Sequence, residues 1–206
     1  MVKVYGRTNS SNVLKVLWCL GELKVPFERI DLGGPFGSSK SAEYLALNPN
    51  GLVPTIVDGD FVLWESHAIV RYLAAKHGAG TLMPEGLEER ANADRWMEWH
   101  ESILAPALSP LFYGLVRTKP EDRNMAAISA ARDQTAAALA ILDAQLDKTQ
   151  YVAGPRFTLG DIPVGILAYR WYMVDIRREP YANLRRWYER LCARPAFRKQ
   201  VMIGIS

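Results

Sequence analysis

Asn48-Pro49-Asn50-Gly51-Leu52-Val53-Pro54-Thr55-Ile56-Val57-Asp58-Gly59-Asp60-Phe61-Val62-Leu63-Trp64-Glu65-Ser66 is the stretch that decides the fold. It opens as a turn and feeds a strand through the X–Pro bond Val53-Pro54. Such bonds are usually trans, so the residues alone leave the isomer open. A cis bond would turn the Val53 backbone outward, free to pair with an extended peptide ligand. Thr55–Val57 and Phe61–Leu63 alternate as short strands, and Asp58-Gly59-Asp60 between them is a hairpin signal. Trp64-Glu65-Ser66-His67-Ala68-Ile69 then opens a helix directly after the second strand, with Ser66 as its natural N-cap. Glu65 suits an ammonium, while Ser66 and nearby N–H groups suit a carboxylate. Together they fit an α-amino acid head group; the plainer alternative is a strand-to-helix boundary.

Outward from this stretch the chain has two textures. Val2 to Tyr5 and Phe27 to Asp31 read as strands. Val13, Val16, Leu17, Leu20 and Leu23 recur at helical spacing, as do Ala68, Ile69, Tyr72 and Leu73. Residues 1–78 therefore read β-α-β, a Gly-rich loop, a short helix near Ala42–Ala46, then β-β-α. His77-Gly78-Ala79-Gly80 and Pro84-Glu85-Gly86 punctuate a linker. Beyond it the strand texture disappears. Residues 87–117 and 121–147 read as long helices, with Pro106 and Pro110 expected to kink or interrupt the first. Lys119-Pro120-Glu121-Asp122 looks like the start of the second. Further helices fit 161–173, 181–193 and 195–200. The expectation is a small α/β unit over 1–78 and an all-helical unit over 87–206.

Composition narrows the function classes. With 206 residues, 49% apolar and 23% charged, the chain is an ordinary globular sequence. A net charge of +3 is too even for a nucleic-acid or membrane-surface binder. From Arg177 onward, eight basic residues face only Glu179 and Glu189. A polyanion site is one reading. A solvated helix face is the stronger one, because Tyr181, Leu184, Trp187, Tyr188 and Leu191 interleave as a packing stripe. Cys19 and Cys192 are too few for a disulfide scaffold or a four-thiolate metal site, and both read as inert thiols. His67, His77 and His100 form no metal-ligand spacing, so no metal is expected. No apolar run reaches about 18 residues, and no signal-peptide core follows Met1, so a cytoplasmic home is the default.

Arg7-Thr8-Asn9-Ser10-Ser11-Asn12 lies between the first strand and the first helix. Ser and Asn there are good N-caps. The same place suits an anion, since free N–H groups and the positive end of the helix dipole converge on it.

Taken in order, these segments resemble the cytosolic glutathione transferases. The sequence carries strand–Ser-loop–helix, then Asn-Pro-x-Gly-x-Val-Pro, then Glu-Ser-x-Ala-Ile-x-x-Tyr-Leu. Thr158-Leu159-Gly160-Asp161 matches the family's late capping motif, in which a Thr and an Asp three residues on cap a buried helix. The likeness covers essentially the whole chain, and the stretch from Tyr5 to Val16 is nearest to a bacterial, serine-type-like branch. The resemblance implies an α+β thioredoxin-like N-terminal domain followed by an all-α C-terminal domain. It implies that Val53 pairs through its backbone with the cysteinyl part of glutathione and that Pro54 is the cis-proline. Glu65 and Ser66 would hold the γ-glutamyl end. Lys40 falls where many members place a group on the glycyl carboxylate; a solvated loop lysine is its plainer reading.

The resemblance also implies a group that stabilises the glutathione thiolate. Tyr5 is too early for the tyrosine type, and no Cys occupies the loop. Counting back from Val25-Pro26-Phe27-Glu28 puts Ser10 at the serine-type position, with Ser11 next and Asn12 as an amide donor. Trp96, Trp99, His100, Leu104, Leu108, Phe112 and Tyr113 are candidates for an electrophile-pocket wall, though for most of them core packing is the better account. Arg7 and Arg117 suit a thiolate or an anionic substrate. The implied activity is a glutathione S-transferase acting on small hydrophobic electrophiles, with glutathione as cosubstrate, no permanent cofactor, and a homodimeric state. A glutathione-dependent dehalogenase or reductase ranks lower for want of a loop cysteine. A non-catalytic binding module ranks lower because Glu65, Ser66 and Ser10 are all present.

Overall fold

The computed structural model describes all 206 residues. The chain divides into two compact units, Met1–Met83 and Pro84–Ser206.

Unit 1 runs β1 (Val2–Tyr5), α1 (Ser11–Leu23), β2 (Phe27–Ile30), a 3-10 turn at Gly34–Phe36, α2 (Ala42–Leu47), β3 (Thr55–Asp58), β4 (Phe61–Trp64) and α3 (Ser66–His77). The sheet order is β2-β1-β3-β4. β1 and β2 are parallel, with Val2 opposite Phe27, as a helical crossover requires. β3 then turns antiparallel on β1, placing Tyr5 opposite Thr55. The hairpin is closed by Gly59 and Asp60, with Asp58 opposite Phe61 and Gly59 at φ 64°. Alternation puts Val2, Val4 and Ile56 into the core, where Val13 to Leu20 of α1 and Ile69, Val70, Leu73 and Ala74 of α3 meet them.

Unit 2 is helical. It comprises α4 (Leu87–Trp99), α5 (Ala105–Phe112), α6 (Met125–Leu146), α7 (Asp161–Met173), α8 (Ala182–Ala193) and α9 (Pro195–Gln200). The expected interruption at Pro106 and Pro110 takes a milder form. A wide π-helical turn at His100–Leu104 joins α4 to α5, and a second at Tyr113–Arg117 ends α5. Pro106 sits in the first turn of α5, where its missing N–H costs least, and only Pro110 is interior. The start expected near residue 121 is corrected. Pro120–Asp122 forms a 3-10 turn, and α6 begins only at Met125, where the Asn124 Oδ1 accepts from Ala127 N at 3.0 Å. No helix is long and apolar enough to cross a membrane.

Two basic residues of the C-terminal stretch, Arg178 and Arg194, make structural contacts. Leu184, Trp187, Tyr188 and Leu191 are the buried stripe of α8. Arg178 caps α7 by donating to the carbonyls of Trp171 and Tyr172, and Arg194 stacks 3.8 Å from the Phe157 ring centroid. At the head of α7, Asp161 is fully buried and accepts from Thr158 N (2.9 Å), Val152 N (3.0 Å) and Trp187 Nε1 (2.9 Å). The Thr158 hydroxyl also points at Asp161, at 3.4 Å, so the carboxylate is the hub of this cap.

Candidate functional site

The end of β1 is fixed before the chain reaches the first helix. Gly6 N donates to Ile30 O at 2.9 Å, and Arg29 donates to Gly6 O at 3.1 Å. Ser10 is the N-cap of α1, at φ −92° and ψ 122°, and its side chain makes no capping hydrogen bond. Its hydroxyl is thus spare, and the 13-residue helix behind it has no acidic residue in its first turn. The positive end of α1 is left without a fixed counter-charge. Ser11 is the first helical residue and Asn12 is exposed on the next position.

The turn Asn48–Thr55 is held by a closed set of side-chain bonds. The Tyr44 hydroxyl donates to Leu52 O (2.6 Å) and lies 2.8 Å from Thr55 Oγ1. Asn48 Nδ2 donates to Leu52 O (2.8 Å) and Thr55 Oγ1 (3.2 Å), while its Oδ1 accepts from Asn50 N (3.0 Å). The inventory of donors orders the chain: Asn48 amide to Thr55 oxygen, Thr55 hydroxyl to Tyr44 oxygen, Tyr44 hydroxyl to the Leu52 carbonyl. Burial raises the Tyr44 phenol above its usual range, so it stays a donor. Gly51 at φ 62° is obligatory, because a Cβ there would sit 2.6 Å from Ser39 O. Within this turn, Val53-Pro54 is a cis peptide. Lys40 stands beside it, donating from Nζ to Asn50 O at 2.9 Å.

At the head of α3 the N-cap is corrected from Ser66 to Glu65. Glu65 takes φ 70° and ψ 115°, and Ser66 becomes the first helical residue. The sharp change of direction from β4 into α3 falls on Glu65, which leaves its carboxylate exposed and tucks Ser66 inside. Lys15, only 1% exposed, reaches across from α1 with its Nζ 3.4 Å from Ser66 Oγ and 3.1 Å from His67 Nε2. Tyr44, Asn48, Thr55 and Lys15 were not among the expected site residues. The one sequence signal for Lys15 is a lysine set within the apolar run Val13 to Leu20.

In unit 2, Leu108 and Phe112 are buried in the helical core. Phe112 lies beneath two guanidinium groups, Arg170 at 4.0 Å and Arg117 at 5.8 Å from its ring centroid. Tyr113 is exposed and edges the same ring. Phe112, Tyr113 and Arg117 therefore come together. Trp99 does not join them: it lines a cavity of about 500 Å³ with Arg95, Trp96, Ile141 and Lys148. Cys19 is fully buried, and burial holds its thiol far above the normal range. Cys192, half-buried, is raised for the same reason.

A four-stranded β-α-β-α-β-β-α unit with a cis-proline at a strand entrance, followed by an all-helical unit, is the thioredoxin-like plus helical architecture. The family follows from comparison. The family model described as Glutathione S-transferase, N-terminal domain, matches residues 9–76, and that described as Glutathione S-transferase, C-terminal domain, matches residues 104–195. The chain is 46% identical to glutathione S-transferase GstB of Escherichia coli K12, with 100% of both chains covered. It is 34% identical to glutathione S-transferase 3 of Zea mays, over 97% of this chain and 93% of that one. The crystal structure of the theta class glutathione S-transferase from Xanthomonas axonopodis pv. citri with glutathione bound matches with a TM-score of 0.96 at 46% identity, covering 100% of this chain and 99% of that one. The chain belongs to the glutathione S-transferase family and is an enzyme of that kind.

Proposed function

We propose that unit 1 binds glutathione and ionises its thiol, and that the enzyme transfers the resulting thiolate to small hydrophobic electrophiles. The extended tripeptide pairs with the Val53 backbone ahead of Pro54. Glu65 takes its α-ammonium, Ser66 and the α3 N-terminus take its α-carboxylate, and Lys40 takes its glycyl carboxylate. The single observation that carries this reading is Ser10: a spare hydroxyl at the N-cap of a helix whose positive end has no acidic neighbour.

A free thiol with a pKa of about 8.5 is only a few per cent ionised at pH 7. Hydrogen bonding from Ser10 to the sulfur, with the dipole of α1 behind it, favours the anion. Lowering the pKa by one unit stabilises the thiolate by about 1.4 kcal/mol. The ionised sulfur then attacks the electrophile, and the enzyme's remaining contribution is to hold both at reacting distance. Ser11 and Asn12 are the other donors within this turn. Phe112, Tyr113 and Arg117, which come together in unit 2, are proposed to serve the electrophile, with Leu108 supporting them; Trp99 is the outlying member of the set.

The proposal includes a homodimer in a cytoplasmic setting, where thiols stay reduced. Leu52, Phe61 and Trp64 are exposed apolar side chains on one sheet edge and its neighbouring turn, as an interface between copies requires. The experiment is glutathione binding by calorimetry together with conjugation of aryl halides, isothiocyanates, haloacids and peroxides. Saturable binding and turnover of at least one class are expected. Failure to bind glutathione at millimolar concentration refutes the proposal.

A further inference from the structure

We propose that Arg7 is an anion-recognition residue for the second substrate, so that this enzyme prefers electrophiles that carry a carboxylate. The inference rests on glutathione binding in unit 1 and names the substrate class of that site.

Arg7 lies three residues before Ser10, and its carbonyl accepts the Ser10 N–H at 3.3 Å. Its guanidinium is folded onto the Gly33-Gly34 turn. A Cβ on Gly34 would lie 2.9 Å from Arg7 Cδ and 3.0 Å from Nε, and one on Gly33 would lie 3.3 Å from Nη1. Two successive glycines at φ 81° and 57° thus make the slot in which the arginine rests. That same point above Gly33 is 3.5 Å from Val53 Cγ1, which puts the guanidinium beside the residue proposed to hold the cysteinyl part of glutathione.

The cation has no counter-charge. Its Nε is buried without a hydrogen-bond partner, and it enters none of the ion pairs. Two other cations of unit 1 do have carboxylate partners, Arg29 in Asp31 and Lys76 in Asp58. The first turn of α1 adds no acid. Holding a partly desolvated guanidinium with no partner is unfavourable, and a planar fork of donors matches a carboxylate in two-point contact. The carboxylates of glutathione already have takers in Ser66 and Lys40, and a single sulfur atom uses one prong of the fork. The remaining claimant is an anionic group on the electrophile.

The test compares two electrophiles that differ in one charge, 4-(chloromethyl)benzoate and 4-(chloromethyl)benzamide. In both, the glutathione sulfur bonds to the benzylic carbon as the C–Cl bond breaks and chloride leaves. The readout is the ratio of kcat/KM for benzoate over benzamide, in the wild type and in Arg7→Met and Arg7→Lys. The wild type is expected to favour the benzoate. Arg7→Met should lower the ratio on the order of tenfold, the scale of one charge-assisted hydrogen bond, and Arg7→Lys should fall between. Gly34→Ala is the second variant: it keeps the charge, displaces the arginine and should lower the ratio too. An unchanged ratio in Arg7→Met and Gly34→Ala overturns the proposal. So does a raised pKa of the bound thiol, read from thiolate absorbance in Arg7→Met, with the ratio unchanged, since the arginine would then serve the sulfur. A wild type that binds no glutathione and conjugates neither compound overturns the proposed function itself and this inference with it.

Discussion

The Tyr44 hydroxyl donates to the Leu52 carbonyl oxygen at 2.6 Å, tying helix α2 to the turn one residue before Val53. The same hydroxyl accepts from Thr55, and Asn48 closes the set, so the backbone on either side of the cis-proline is pinned by three buried side chains. Tyr44→Phe removes one oxygen and leaves the Thr55 hydroxyl without its acceptor. Stability should fall by about 1–2 kcal/mol. If this turn holds glutathione, its KM should rise severalfold while kcat changes less. Thermal melting and glutathione-dependent kinetics check both. A lower melting temperature with an unchanged KM would separate the turn from substrate binding.

Asp161 is the corresponding anchor of unit 2. Every group facing its carboxylate is a donor: the N–H groups of Thr158 and Val152, the Trp187 indole and the Thr158 hydroxyl. Asp161→Asn turns one acceptor into an NH₂ facing those donors and should cost roughly 3 kcal/mol. Burial, opposed by these hydrogen bonds, pushes the Asp161 carboxyl up to about 6 from 3.8. A raised pKa in the fold means that the protonated form is favoured on folding. That contribution is complete below 3.8 and is lost as the pH rises through about 6. Denaturant titrations of wild type and variant at pH 4 and pH 7 should therefore show the wild type's advantage shrinking at pH 7. An advantage that grows from pH 4 to pH 7 would place the folded pKa below its ordinary value.

The parts of this molecule written in short-range chemistry were legible in the sequence. Gly59-Asp60 between two alternating runs gave the hairpin, and the periodic stripe of α1 gave its buried face. Expectations failed where two local signals competed. Ser66 is a good N-cap, yet the chain turns so sharply after β4 that Glu65 takes the cap position in a left-handed conformation. Pro120 with two acids is a good helix start, yet it opens only a 3-10 turn, and Asn124 is the side chain that reaches an N–H. Tyr44, Asn48, Thr55 and Lys15 act through contacts between residues up to 52 positions apart, which no local pattern encodes.

Glu65 offers a direct test of whether backbone strain has been kept for binding. A non-glycine residue at φ 70° is held there against its own Cβ, at a cost on the order of 1 kcal/mol or more. Glu65→Gly removes that strain and the carboxylate together, whereas Glu65→Ala removes only the carboxylate. The glycine variant should melt higher than the alanine variant, and both should bind glutathione more weakly than the wild type. Differential scanning calorimetry and glutathione titration read the two effects separately. Full affinity in either variant would remove Glu65 from the proposed ammonium site.

Ser10 carries the chemical part of the proposal, and its substitution has a signed consequence. The rate of conjugation should rise with pH as the bound thiol ionises, and kcat/KM should level off above the thiol's pKa. Without the Ser10 hydroxyl the thiolate loses a donor, so Ser10→Ala should raise that apparent pKa by about one unit and lower the rate at pH 7 roughly tenfold. At high pH, where the thiol ionises unaided, the two enzymes should converge. Ser11→Ala and Asn12→Ala are the controls, one residue further into the helix at each step, and neither should move the profile. If the shift appears in Ser11→Ala or Asn12→Ala instead, the hydrogen bond to sulfur comes from that residue. If it appears in none of the three, the positive end of α1 stabilises the thiolate without a side-chain donor.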